Sequence, residues 1–246
     1  MKANISILLY LFTLSLSGQE LKSIKSFDIG YVPTTASIDR QGNLYFASNG
    51  GGIDKFDQYG KVLYHFSPQK KAEPSIIEAW QGLRTFVHYR NFQEYLFLDR
   101  FLNSSERYSL DFSQSNNFSG LATLSGDNNI WVINDQNLSL QKIDINNKEV
   151  LLETKLNLSL GYDNLDIQFI RDYQNYLFIG DLQHGVLMFD NLGNFVDLII
   201  EEEGIQFFSF QKNNLIYTKA NKLIRTDIYT KTKKEISLPD PPSQFV

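Results

Sequence analysis

The chain has 246 residues, no cysteine and a formal net charge of -5 at pH 7, with 42% hydrophobic and 14% aromatic residues. The missing cysteines rule out a disulfide framework and the lipoprotein route, which acylates a cysteine at the cleavage site. The acidic balance argues against nucleic acid as a partner: basic residues gather only briefly, at Lys70 and Lys71 and at Lys231, Lys233 and Lys234, and displacing phosphate counterions needs far more.

Residues 1–18, MKANISILLYLFTLSLSG, start with Lys2, run apolar over 5–16 and end in the small residues Ser15, Ser17 and Gly18. That is the pattern of a secretory signal peptide, with cleavage expected near Ser17 or Gly18. The apolar run is shorter than the roughly 20 residues of a spanning helix, and Gln19, Glu20 and Lys22 follow at once. The expectation is an exported chain with no transmembrane segment after cleavage, in the periplasm or at the periphery of an outer membrane, and not a lipoprotein.

Residues 34–39, 44–48, 53–57 and 62–66 each have strand length and a β-branched or aromatic bias, with glycine, asparagine and aspartate between them. Four short strands in sequence predict an antiparallel meander. Tyr45, Phe46, Phe56, Leu63, Tyr64 and Phe66 cannot all lie on one side of an alternating strand, so the sheet needs neighbours on both faces.

The pattern recurs. NNIWVIND with LSLQKIDI, NYLFIGD with GVLMFDNLGNFVDLII, and NNLIYT with KLIRTDI repeat a polar turn, an apolar strand and a strand closing on aspartate. A further unit lies over 75–112, in SIIEAW, RTFVHYR, EYLFLDR and RYSLDF, with Asp99 in the place of Asp57, Asp144, Asp190 and Asp227; FQEYLFLD also matches YQNYLFIGD of the fourth unit, a rival register. Five units at a roughly 40-residue period, each of four strands, predict the blades of a propeller rather than a helical solenoid.

The opening unit, I-D-x-x-G-N-L-Y-F-A followed by I-D-K-F-D-x-x-G-K-V-L, resembles a blade of the NHL-type, WD40-like β-propellers, and the fourth unit, with F-I-G-D and V-L-M-F-D-N-L-G-N-F-V, is similar. The resemblance implies an all-β ring of four-stranded antiparallel blades around a central channel, here a single domain over 19–238 with five blades, or six if one end adds a degenerate blade. It implies no activity, because propellers bind, scaffold or catalyse. Residues 21–29, or those near Ile236 to Leu238, are expected to complete the last blade. The remaining residues 239–246, rich in proline, read as an extended tail.

No catalytic, metal or cofactor motif stands out. Gly50, Gly51 and Gly52 precede a strand rather than a helix, so they read as a turn and not a phosphate loop. His65, His88 and His184 share no ligand spacing suited to zinc. The recurring aspartates read as turn devices that accept backbone N–H bonds, and Glu201, Glu202 and Glu203 as a solvated loop.

The least family-like stretch, EAWQGLRTFVHYRNFQEYLFLDRF, gathers Trp80, Arg84, His88, Tyr89, Arg90 and Arg100, residue types that dominate interfaces. Alternation puts Arg84, Phe86, His88 and Arg90 on one face, where three cationic or titratable groups are hard to bury. They are candidate binding residues, unless they meet Glu78, Glu94 and Asp99 within the blade. The expectation is an exported binding or scaffold module engaging a protein partner at the bacterial envelope; the alternative is a small-ligand sensor or enzyme working at the mouth of the channel.

Overall fold

A computed structural model describes residues 26–104, 106–110 and 119–238. The expected leader 1–18, the 21–25 part of the expected closing strand and the tail 239–246 lie outside the described residues.

Twenty strands form five four-stranded antiparallel sheets among the described residues, each in plain chain order. Blade 1 contains β1 (Thr35–Ile38), β2 (Leu44–Ala47), β3 (Ile53–Phe56) and β4 (Val62–Phe66). Blade 2 contains β5 (Ile76–Glu78), β6 (Arg84–Tyr89), β7 (Glu94–Asp99) and β8 (Tyr108–Ser109). Blade 3 contains β9 (Ser119–Leu124), β10 (Ile130–Asn134), β11 (Ser139–Asp144) and β12 (Glu149–Lys155). Blade 4 contains β13 (Ile167–Tyr173), β14 (Tyr176–Asp181), β15 (Gly185–Phe189) and β16 (Phe195–Ile200). Blade 5 contains β17 (Ser209–Gln211), β18 (Asn214–Lys219), β19 (Lys222–Asp227) and β20 (Lys233–Ser237). The result is the expected five-bladed β-propeller, without a sixth blade among the described residues. In blade 2, Glu94–Asp99 is the third strand, pairing with β6 and β8, so Asp99 keeps its place in the repeat and the rival register does not occur.

The recurring aspartates hold the turns. Asp57, Asp99, Asp144, Asp190 and Asp227 each accept two backbone N–H bonds through Oδ1, at 2.7 to 3.0 Å, from residues two to four positions on. A short carboxylate can satisfy a tight turn's free donors without a helix or sheet partner, which is why it recurs at one position in the unit. In the triple-glycine turn, Gly51 has φ +86° and a Cβ there would sit 2.1 Å from the carbonyl oxygen of Ala72. Glycine is required at that spot for both conformation and space.

Apolar side chains fill the spaces between blades. Tyr45 and Ile53 of blade 1 pack with Ile77, Val87 and Leu98 of blade 2. Trp131 and Leu140 of blade 3 pack with Ile170, Leu177 and Phe189 of blade 4. A larger cluster takes in Phe86, Leu124 and Ile130 at the junction of blades 2 and 3, and Phe178, Met188, Phe208 and Tyr217 at that of blades 4 and 5. Among the described residues, no cluster of buried apolar side chains joins blade 5 to blade 1.

That last seam is built differently. Blade 5 takes its fourth strand from β20, which pairs with β19 from Lys222↔Ser237 to Thr226↔Lys233. The segment near Ile236 therefore completes the blade, as one of the two expectations had it. Residues 26–29, the described part of the other, form no strand. They lead instead into a cover over blade 1: Phe27 packs 5.5 Å from Phe56, and the Tyr31 hydroxyl donates to Asp54 Oδ2 at 2.7 Å.

Candidate functional site at the channel

The inner strands leave a central cavity of about 490 Å³, partly open to solvent. Its wall comes from β1 and β2 (Thr35, Ser37, Leu44, Phe46), from Ile76 and Trp80 of blade 2, from Phe169, Arg171, Asp172 and Tyr173 of β13, and from Phe207 to Phe210 at β17. Seven aromatic side chains, from blades 1, 2, 4 and 5, line it. Phe169 and Phe208 meet edge to face at 5.0 Å, and Tyr173 stacks on Phe210 at 4.3 Å. Such contacts hold the rings in place before any ligand arrives.

A polar cluster contributed by three blades lies beside the cavity. Glu78, at the end of β5, is fully buried and accepts hydrogen bonds from the Thr123 hydroxyl and, at 3.0 Å, from the Leu124 N–H, both of blade 3. Arg171 of blade 4 reaches the same carboxylate, Nε to Oε1 at 3.2 Å. Asp172 accepts from Trp131 Nε1 at 3.1 Å and from Ser125 Oγ at 3.3 Å. Burial pushes the Glu78 carboxyl up despite the Arg171 guanidinium and the two donors. Burial likewise pushes Asp172 up to about 6, with the Glu78 charge adding to it and the Trp131 bond opposing. Among the described residues, no group of three or more His, Asp or Glu is placed to hold a metal ion.

The residues singled out in the sequence divide between the two rims. β6 runs from Arg84, opposite Asp99, to Tyr89, opposite Glu94, a span of about 17 Å. Trp80, Arg84 and Arg100 stand at one end of blade 2. Trp80 lines the cavity with the Arg40 guanidinium 5.6 Å from its ring centre, and its buried Nε1 has no acceptor. Arg84 is half-buried over the Phe97 ring at 4.3 Å and donates to Asn128 Oδ1 at 2.7 Å. Arg100 is exposed above Phe101.

His88, Tyr89 and Arg90 stand at the other end. His88 and Tyr89 have no exposed surface. Burial, with the Arg90 charge adding, holds His88 down to about 3, so it is neutral at pH 7; Ser75 Oγ lies 3.0 Å from its Nδ1. Arg90 begins a short 3-10 turn and pairs with Asp135 of blade 3 at 2.8 Å. On the face that carries Arg84, His88 and Arg90, only His88 is buried, because a neutral imidazole carries no charge to desolvate; Arg84 stays half-buried and Arg90 exposed. The alternative, a meeting with Glu78, Glu94 or Asp99 within the blade, is corrected: Arg84 donates to Asn128 and Arg90 pairs with Asp135, while Glu94 pairs with Arg107 at 3.1 Å and Glu78 with Arg171.

The sequence reading missed Arg171 and Asp172, and weighed Glu78 only as a partner for cations of its own blade. Their signal was charge inside apolar runs, in SIIEAW and QFIRDY. It missed as well that Glu202 is no free loop carboxylate: it accepts from the Tyr217 hydroxyl at 2.6 Å and pairs with Lys219 at 3.0 Å.

No protein-family model matches the chain, and no curated protein matches it. Solved structures do match. A catalytically inactive virginiamycin B lyase from Staphylococcus aureus, solved with quinupristin, is 15% identical, with a TM-score of 0.58 over 86% of this chain and 72% of that one. The β-propeller domain of Cps50 (Swd1) from Myceliophteria thermophila is 14% identical, with a TM-score of 0.57 over 85% and 74%. The WD40 domain of Neurospora crassa Pan2 is 12% identical, with a TM-score of 0.54 over 84% and 66%. The chain is a β-propeller. At these identities the likeness is one of fold alone, and an enzyme and WD40 domains share it.

Proposed function

We propose that the protein is an exported binding module of the NHL-like propeller kind, working at the periplasmic or outer-membrane face of a bacterial envelope, where the channel mouth around Trp80 engages a protein partner. One observation carries this reading. The inner strands of four blades surround an aromatic cavity, while the carboxylates beside it are taken up by donors from neighbouring blades. Aromatic and arginine side chains around a concavity are the usual anchors of an interface. In this reading Trp80 is the anchor, Arg84 and Arg100 form a cationic edge on the same rim, and His88, Tyr89 and Arg90 support blade 2 from its other end. The pattern of residues 1–18 supports export, and the lack of cysteine supports a protein without a lipid anchor.

The test is an affinity pull-down of tagged protein from gently solubilised envelopes, with Trp80→Ala and Arg84→Ala variants whose folding is checked by circular dichroism. A stoichiometric partner retained by the wild type and lost by Trp80→Ala is expected. An empty pull-down, repeated with cross-linking, contradicts the reading. A second reading, a small-ligand sensor or enzyme, has one observation in its favour: Asp172 stands in the cavity wall with its carboxyl pushed up to about 6. Turnover of a substrate that vanishes in Asp172→Asn would select it.

A further inference from the structure

The cavity wall has a polarity that limits what can occupy it. Trp80 Nε1 is a buried donor without an acceptor. Arg171 places its guanidinium 5.3 Å from the Phe169 ring centre, and its buried Nε lies 3.2 Å from Glu78 Oε1 without a hydrogen bond. The carboxylate in the wall, Asp172, already accepts from Trp131 and Ser125. Ser37 Oγ accepts the N–H of Ala79 at 3.1 Å. Among the described residues, Trp80 Nε1 and Arg171 Nε are therefore donors without a hydrogen bond, while Asp172 and Ser37 already accept. A buried donor without a partner is a standing cost that an incoming acceptor removes.

The apolar part of the wall is just as specific. Phe169 and Phe208, and Tyr173 and Phe210, are locked against each other, so they offer fixed ring faces and edges rather than an adaptable surface. Rings held this way favour a planar guest, which gains from offset or edge-to-face contact beyond simple area burial. A volume of about 490 Å³ suits one or two fused rings with a short substituent.

We infer that the channel cavity is a receptor for a planar aromatic group bearing an anionic or carbonyl acceptor, with the rings against the Phe169–Phe210 wall and the acceptor toward Trp80 Nε1 and Arg171. Two sources share this chemistry: a free aromatic acid, and an aromatic side chain of a peptide whose own carbonyl lies beside it. The inference uses the binding-module reading only for the entry of the guest at the mouth, and it is testable without any partner protein.

The experiment titrates the folded protein with 8-anilinonaphthalene-1-sulfonate, an aromatic anion, and with N-phenyl-1-naphthylamine, its uncharged counterpart, by fluorescence. Displacement by indole-3-propionate and by N-acetyltryptophan amide follows, the first standing for a free acid and the second for a peptide. The sulfonate is expected to bind at one site, at least tenfold more tightly than the amine, and Trp80→Phe, which keeps a ring and loses the N–H, is expected to weaken it about tenfold. Arg171→Lys keeps a cation for Glu78 and removes the planar donor fork, so it is expected to weaken the sulfonate and leave the amine unchanged. Displacement by the propionate alone assigns a free acid, and displacement by the amide assigns a peptide. Equal affinity for sulfonate and amine, or no loss in Trp80→Phe, overturns the inference. An empty pull-down beside intact sulfonate binding would sink the partner reading and leave this one standing.

Discussion

Two seams of the ring, those between blades 1 and 2 and between blades 3 and 4, differ in construction from the seam between blades 5 and 1. In the first pair, a lysine two residues before the turn aspartate lies over an aromatic ring of the adjacent strand: Lys55 over Tyr45 at 5.0 Å, Lys142 over Trp131 at 4.8 Å. Each pairs with an aspartate of its own blade, Asp39 or Asp127, and each donates to a carbonyl in the following blade, Arg100 at 3.3 Å or Asn191 at 3.2 Å. Arg225 holds the same place in blade 5, and its buried Nε has no acceptor. No hydrogen bond or ion pair joins the strands of blade 5 to those of blade 1 among the described residues, and Phe27 and Tyr31 cover blade 1 where a neighbouring blade would press. Four seams are packed by apolar clusters; among the described residues the fifth has none, its blade 1 face is covered by Phe27 and Tyr31, and it borders the cavity.

If packed seams carry the stability, the largest loss should come from their centre. Trp131→Ala removes a fully buried ring together with a donor to Asp172, and is expected to cost about 3–5 kcal/mol in urea unfolding. Phe27→Ala, on the blade 1 face of the fifth seam, should cost less than half of that; equal costs would break the comparison. Lys55→Met removes the cation beside Asp39, which keeps its bonds from Gln41, Asn43 and Tyr45, and the donor to the Arg100 carbonyl, at a cost of about 2 kcal/mol.

Two buried titratable groups sharpen the comparison through pH. His88 has a folded pKa of about 3 against an ordinary 6.5, so its contribution is present above pH 6.5 and is lost as pH falls toward 3. The slope is at most about 1.4 kcal/mol per pH unit. His88→Phe should lessen the drop in urea midpoint between pH 7 and 5, and an unchanged drop would contradict burial of the imidazole. Asp172 has the opposite sign: with its folded pKa raised from 3.8 to about 6, its contribution is present below pH 3.8 and is lost as pH rises through 6. Asp172→Asn should therefore gain stability relative to wild type between pH 4 and 7. The smallest effect belongs to blade 5: Arg225→Met removes a buried donor without a hydrogen bond, and is expected to change stability by no more than about 0.5 kcal/mol. A loss approaching that of Lys55→Met would mean that Arg225 is a working latch.

The blades were legible because their signals are local. A turn aspartate, a short apolar strand and a fixed spacing all lie within one unit, and Asp57, Asp99, Asp144, Asp190 and Asp227 do hold the turns. The site was legible only in part because it is assembled across units. Trp80 is in the cavity wall, which its setting among arginines did not indicate, and Glu78, Thr123, Arg171 and Asp172 come together from three blades, which no linear spacing records. His88 and Tyr89 share a strand with Arg84, but the register of β6 on β7 decides which end each occupies and the packing of the neighbouring blades decides that they are buried.

Amide hydrogen exchange read blade by blade tests the unequal ring most directly. Exchange is expected to be slowest in β10 and β14, between packed seams, and markedly faster in β1, β2, β18 and β19, which flank the fifth. Uniform protection around all five blades would contradict it.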